Sequence, residues 1–166
     1  MKDKMHIVLV EPRIPANTGN LIRLTANMGA SLHLIHPLGF NLEDAKLRRA
    51  GLDYSDLSDV YEYQEFDAYV SSNPDRRLIF FSAKGNVLYS ECSYTDYDSL
   101  IFGSEDTGLN NELLQKHEDA IKSYIPMMPH NRSINLSNAV AVVAFEAWRQ
   151  MGFNHAEYSP RNTRFS

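Results

Sequence analysis

Apolar residues in this chain come in short runs separated by polar segments that carry glycine or proline. His6-Ile7-Val8-Leu9-Val10 has the length and branched side chains of a buried strand, and 32–35, 77–81, 100–102 and 123–125 read the same way. Between them the spacing predicts helices. One is capped by Asn17 or Thr18 and runs to Met28, with Gly29 as its stop. A short basic helix ends near Ala50, and further helices cover 66–72 and 110–118. Residues 11–16 hold two prolines and form a loop, whereas 52–63 read as irregular or weakly extended. Strands alternating with helices imply an α/β fold, a parallel sheet with helices on both faces. In such sheets ligands bind beyond the carboxyl ends of the strands. Three loops of unusual polarity fall there, at 11–17, 103–109 and 126–137.

The last helix, 137–150, is apolar almost all round and must be buried. Its amino end follows the polar run Arg132-Ser133-Ile134-Asn135-Leu136-Ser137-Asn138, in which Ser137 and Asn138 are good capping types. Arg132, Ser133 and Asn135 exceed what one cap needs. A polar cluster at the mouth of a buried helix fits either an over-capped core helix or a ligand site.

Composition narrows the class. The chain has 166 residues, 43% hydrophobic and 22% charged, as expected of one domain with a full core. No apolar run is long enough to span a membrane, and none forms a signal-peptide core. Cys92 is the only cysteine, which fits a reducing cytoplasm. Net charge is −5, yet residues 1–51 and 122–166 each carry +3 and the middle carries −11. If the two ends meet in the fold, they make a cationic face on an acidic protein. The densest cluster, Lys46, Arg48 and Arg49, reads by itself as a solvated helix face.

Several chemistries are excluded by pattern. Gly103-Ser104-Glu105-Asp106-Thr107-Gly108 has the glycine spacing of a phosphate loop, but Leu109-Asn110 follows where that loop needs Lys-Ser/Thr. There is no Gly-x-Gly-x-x-Gly and no Gly-x-Ser-x-Gly elbow. The six histidines lack metal-ligand spacing, so no metal is expected. In Asn17-Thr18-Gly19-Asn20-Leu21-Ile22-Arg23, the arginine is either a surface side chain or a planar fork for a phosphate.

Three segments together resemble the SPOUT methyltransferases. They are Asn17-Thr18-Gly19-Asn20-x-x-Arg23, then Leu100-Ile101-Phe102-Gly103-Ser104-Glu105-x-x-Gly108-Leu109, then Ile125-Pro126-Met127 followed by Arg132-Ser133-x-Asn135-Leu136-Ser137-Asn138-Ala139-Val140. The likeness is closest to the small branch of tRNA wobble-nucleotide 2′-O-methyltransferases called TrmL or YibK. It is supported by Pro37-x-Gly39-Phe40, by 48–54 and by 146–150, and it covers roughly residues 5–153. The resemblance implies a single methyltransferase domain over 1–153 with a C-terminal trefoil knot, a loose tail over 154–166, and a cytoplasmic homodimer with active sites across the interface. It implies S-adenosylmethionine as methyl donor, bound by Phe81, Gly103, Ser104, Ile125, Met127, Ser133, Leu136 and Asn138. It further implies Arg23, Ser133 and Asn135 as catalytic residues, and Asn17, Arg23 and Arg132 as contacts to the tRNA, a leucine tRNA whose wobble cytidine or modified uridine is the target. The same fold acting on another RNA such as rRNA, or serving as a silent RNA-binding factor, is the alternative. The branch usually has proline at the position of Ser104 and arginine at that of Thr107, so this chain lacks one cation there.

Overall fold

Each apolar run becomes a strand of one sheet, because main-chain groups buried on both faces are satisfied only by neighbouring strands. The computed structural model of the chain describes residues 4–47 and 59–157. In chain order the elements are β1 (His6–Val10), α1 (Pro15–Met28), β2 (Ser31–Ile35), α2 (Leu42–Leu47), β3 (Val60–Tyr63), α3 (Phe66–Ser72), β4 (Arg77–Phe81), β5 (Val87–Leu88), β6 (Asp98–Phe102), α4 (Asn111–Lys116), β7 (Ile121–Tyr124) and α5 (Leu136–Gln150). The seven strands lie in the order β3-β2-β1-β6-β4-β7-β5, and every pairing is parallel.

Side chains alternate across this sheet as strand geometry requires. Ile7, Leu9, Leu32, Leu34, Ile79, Phe81, Leu100 and Phe102 face one layer, formed with Leu21 and Ile22 of α1 and Val140, Val143, Ala144 and Ala147 of α5. Val8, Val10, Ile35, Phe80 and Ile101 face the other, formed with Phe66 and Tyr69 of α3 and Leu114 of α4. The expected two-faced α/β sheet is therefore observed. α1 packs on α5, while much of the basic charge of the two ends (Lys2, Arg48, Arg49, Arg161, Arg164) lies outside the described residues.

Differences from the sequence reading lie at element ends. α1 begins at Pro15, inside the expected loop, because proline presets the helical φ and has no N–H to leave unpaired. Asn17 is thus within the first turn and is not the cap. β3 occupies the end of the stretch read as irregular or weakly extended, in line with the extended half of that reading, and β5 was not foreseen. The cap of α5 is Asn135, whose Oδ1 accepts from the main-chain N–H of Ser137 (3.0 Å) and Asn138 (3.3 Å), so Ser137 and Asn138 are capped residues rather than caps. α4 stops at Lys116, and beyond it the Lys122 ammonium donates to the carbonyls of His117, Glu118 and Ala120. α5 is not buried all round: Val142 and Phe145 are 41% and 45% exposed. Arg48 and Arg49 of the basic cluster, and the tail from 158 onward, lie outside the described residues.

The amino ends of the strands hold a dry polar network. His6 Nδ1 pairs with the Tyr69 hydroxyl at 2.9 Å, which pairs with Ser99 Oγ at 2.5 Å. His33 Nε2 pairs with Ser31 Oγ at 3.0 Å, and the His6 and His33 rings stack with centroids 4.0 Å apart. Burial pushes the imidazoles down to about 2 for His6, aided by His33 and Arg76, and to about 3 for His33, aided by Arg76 against an opposing pull from Asp59. In the unfolded chain both titrate near 6.5. Below that pH the unfolded state takes up protons that the folded state refuses, so stability falls on acidification from about 6.5 and is unaffected by these rings above it. At pH 4.5 the loss is about 2 to 3 kcal/mol per histidine. Melting curves from pH 7.5 to 4.5 should show a shallower acid slope for His33→Phe than for the wild type. Equal slopes would disprove neutral burial.

Candidate active site

At the other end of the sheet four loops converge, following the carboxyl ends of β1, β4, β6 and β7. Three were expected from sequence. The fourth, after β4, was missed, although Ser82, Gly85 and Asn86 directly after an apolar strand are a turn signal. Together they enclose a cleft of about 560 Å³, the size of a site for a drug-sized or nucleoside-sized ligand.

One carboxylate organises three of these loops. Glu105, in the loop after β6, accepts from the main-chain N–H of Arg13 (2.6 Å) and Ile14 (3.0 Å) and from Asn17 Nδ2 (3.1 Å). Ile14 is the residue before the first turn of α1 and has no cap from its own side chain, so a carboxylate about ninety residues away takes that role. Negative charge there also complements the helix dipole. Asn17 is 4% exposed, and its Oδ1 accepts from Asn135 Nδ2 at 3.0 Å. Asn135 in turn caps α5. A continuous chain of side-chain bonds thus runs from the loop after β6, through α1, to the start of α5.

The loop 103–108 closes on itself. Ser104 and Gly108 form an antiparallel bridge, with the Gly108 N–H donating to the Ser104 carbonyl at 2.9 Å. A Cβ on Gly103 would stand 2.0 Å from the Gly108 carbonyl carbon, so only glycine fits. Gly108 itself has φ +65°, in the left-handed region. The Thr107 hydroxyl lies 3.3 Å from Ser104 Oγ, inside the loop, where the related branch usually carries arginine.

The cleft is apolar below and polar at its rim. The Phe81 and Phe102 rings stack at 4.7 Å, and Leu109, Ile125 and Leu136 complete an apolar slot. Asn17, Ser104, Thr107, Ser133 and Asn135 provide hydrogen-bonding groups. An apolar slot lined by main chain and hydroxyls suits an adenine ring and its ribose. The residues present therefore fit S-adenosylmethionine. Among the described residues, no three His, Cys, Asp or Glu side chains stand together as a metal site.

The structure gathers Phe81, Gly103, Ser104, Ile125, Met127, Ser133 and Leu136 around the cleft, with Asn17 and Asn135. It does not bring Asn138, Arg132 or Arg23 there. The Asn138 side chain is exposed on the first turn of α5, and its main chain is what Asn135 holds. Arg132 is exposed in the loop before Ser133. Arg23 follows Asn17 by six residues, about 9 Å along α1 and on another face, and is exposed.

Parallel topology, the glycine loop folded on itself and the asparagine-capped last helix define an α/β domain with a ligand cleft at the carboxyl ends of its strands. The chain matches the SpoU rRNA Methylase family over residues 4–145 and belongs to that family. It is 50% identical to a tRNA (cytidine(34)-2′-O)-methyltransferase of Burkholderia cenocepacia, over 89% of this chain and 96% of that protein. It is 48% identical to the protein of the same name from Escherichia coli K12, over 90% and 95%. A solved structure described in terms of 2-OH methylation of C/U34 on tRNA is 42% identical, covers 90% of this chain and 97% of its own, and superposes with a TM-score of 0.82.

Asn135 performs two tasks that substitution separates. Asn135→Ala removes the cap and leaves Asn17 Oδ1 unpaired, for a loss of about 1 to 2 kcal/mol in urea unfolding. Asn135→Ser keeps a cap but cannot reach Asn17. It should recover most of the stability while affinity for S-adenosylhomocysteine in calorimetry stays reduced. Full recovery of both would make the link to Asn17 irrelevant.

Proposed function

We propose that this protein transfers a methyl group from S-adenosylmethionine to the ribose 2′-oxygen of nucleotide 34, the first anticodon nucleotide, of tRNA. The observation that carries this reading is the Glu105–Asn17–Asn135 tie across an apolar cleft, in a chain half identical, over nearly its whole length, to enzymes named for that reaction. Cytidine or modified uridine is the expected base, a leucine tRNA the expected carrier, and the cytoplasm the expected compartment. No helix among the described residues is long and apolar enough to cross a membrane.

When bound, S-adenosylmethionine supplies an electrophilic methyl carbon. Phe81, Phe102, Ile125 and Leu136 would hold the adenine, and the main chain around Gly103 and Met127 would take its polar edge. Ser133 and Asn135 shape the rim against which the acceptor ribose rests. The donor would give its methyl group to the 2′-oxygen and leave as the thioether, with the hydroxyl proton released to solvent; this chain's part is to hold the two centres and keep water out of the slot. Alignment of the two centres provides much of the rate.

Arg23 and Arg132 contact RNA phosphates in this reading, and Arg23 offsets charge developing on the acceptor. A guanidinium hardly deprotonates, so Arg23 clamps rather than acting as base. Its distance from the cleft of its own chain is resolved by a homodimer in which Arg23 serves the partner's cleft. Support for such a dimer comes from the exposed apolar side chains of Ile14, Met127, Met128, Ile134, Val142 and Phe145, surface that a second subunit would take out of water. The trefoil knot belongs to the same proposal, with β7 between β4 and β5 and segment 125–135 leading back to α5. So do a single domain over 1–153 and a tail over 154–166.

Labelled methyl transfer to tRNA from cells lacking this protein, with the modified nucleotide mapped, tests the activity. Label on the 2′-oxygen of nucleotide 34 is expected; label elsewhere overturns the substrate, and no label on tRNA or rRNA overturns the catalytic reading. Arg23→Ala and Asn135→Ala should each lower kcat/KM by about a hundredfold or more. Co-refolded in equal amounts, they should recover about a quarter of wild-type activity, because half the dimers would carry one intact site. No recovery would place Arg23 in the cleft of its own chain.

A further inference from the structure

Among the described residues lining the cleft, Lys84 is the one basic side chain. It is fixed by its surroundings. The Lys84 N–H donates to Ser82 Oγ at 3.2 Å and the Gly85 N–H to the Ser82 carbonyl at 2.9 Å. On either side, the Ser82 and Asn86 N–H groups donate to the carbonyls of Ser123 and Lys122 on β7, both at 3.0 Å. Gly85 lies so close to Ser123 that a Cβ there would stand 2.4 Å from its carbonyl. The turn carrying Lys84 is therefore pressed onto β7 with little freedom.

Its ammonium donates to Asn111 Oδ1 at 2.6 Å, a neutral acceptor in the first turn of α4. That uses one of three N–H donors. Two carboxylates line the cleft: Glu105 is occupied by Arg13, Ile14 and Asn17, and Asp106 is exposed at the rim, while the Lys84 ammonium is bonded to Asn111. A cation held in a cleft meant for a sulfonium raises the free energy of the complex unless an anion faces it. Two anions reach such a cleft: the carboxylate of the donor's amino-acid end and a phosphate of the RNA.

We propose, on the reading of the site given above, that Lys84 oriented by Asn111 is the oxyanion-recognition residue of the cleft. Placement on the loop after β4 sets it apart from α1, since β6 lies between β1 and β4. It thus acts independently of Arg23. It also offsets in part the missing cation at Thr107, from the loop after the neighbouring strand β4.

Calorimetry with S-adenosylhomocysteine and with 5′-methylthioadenosine, which lacks the amino-acid end, tests the carboxylate. Filter binding of tRNA across a salt series tests the phosphate. If the carboxylate is the ligand, Lys84→Gln weakens S-adenosylhomocysteine about five- to tenfold, leaves methylthioadenosine unchanged, and Lys84→Arg restores binding. If a phosphate is the ligand, nucleoside affinities hold and the slope of log Kd against log salt falls by about 0.7 to 0.9. Unchanged donor affinity together with an unchanged slope overturns the proposal. Wild-type protein that binds neither S-adenosylhomocysteine nor tRNA would instead overturn the functional reading on which it rests.

Discussion

The Glu105 carboxylate, shared among two main-chain N–H groups and one asparagine, is the constraint from which the site follows. It joins the entry to α1 to the loop after β6, and through Asn17 it reaches the cap of α5. Each member of this chain is bound on both sides, so none can turn without leaving a polar group unpaired. Leaving such a group unpaired costs more than the bond itself contributes. The cleft is thereby shaped before any ligand arrives, and a reaction governed by alignment needs that stiffness.

The two ends of the sheet divide the work. At the amino ends, His6 bonded to Tyr69 and Ser99, and His33 bonded to Ser31, join through their stacked imidazoles in a buried, neutral cluster that only holds strands in register, with His33 Nδ1 left without a partner. At the carboxyl ends, polar groups face open space above the Phe81–Phe102 pair. Both sets look alike as residue types. What separates them is whether their partners lie within the protein or outside it.

The outer face of α5 adds a third feature. Its inner side closes the core beside α1, while Val142 and Phe145 stay in water in a single chain. The segment that forms the cleft roof, with Met127, Met128 and Ile134, is exposed on the same stretch of chain. A second subunit covering these side chains would complete the site while burying apolar surface, so association and catalysis would share one surface.

Much was legible from residues alone. The sheet, its helices on both faces and the loops at its carboxyl ends follow from period and alternation, which depend only on neighbours along the chain. Gly103 and Gly108 marked a tight loop, and the run 132–138 marked a polar helix mouth. Long-range bonds were not legible. That Asn17 is bridged to Glu105 and Asn135 rather than capping α1, and that Glu105 serves as the acceptor at that helix, each depend on residues about ninety to a hundred and twenty positions apart. Lys84 entered the cleft for the same reason, because a short loop is placed by the strands it joins and not by its own residues. The choice of Asn135 over Ser137 or Asn138 as the cap of α5, by contrast, is made by bonds only two and three residues long. The sequence by itself determined which segments become strands and helices and which residue types stand at their ends, since those are local preferences. Only the tertiary structure decided which polar groups meet, because hydrogen bonds between loops exist only once the sheet has brought their strands together.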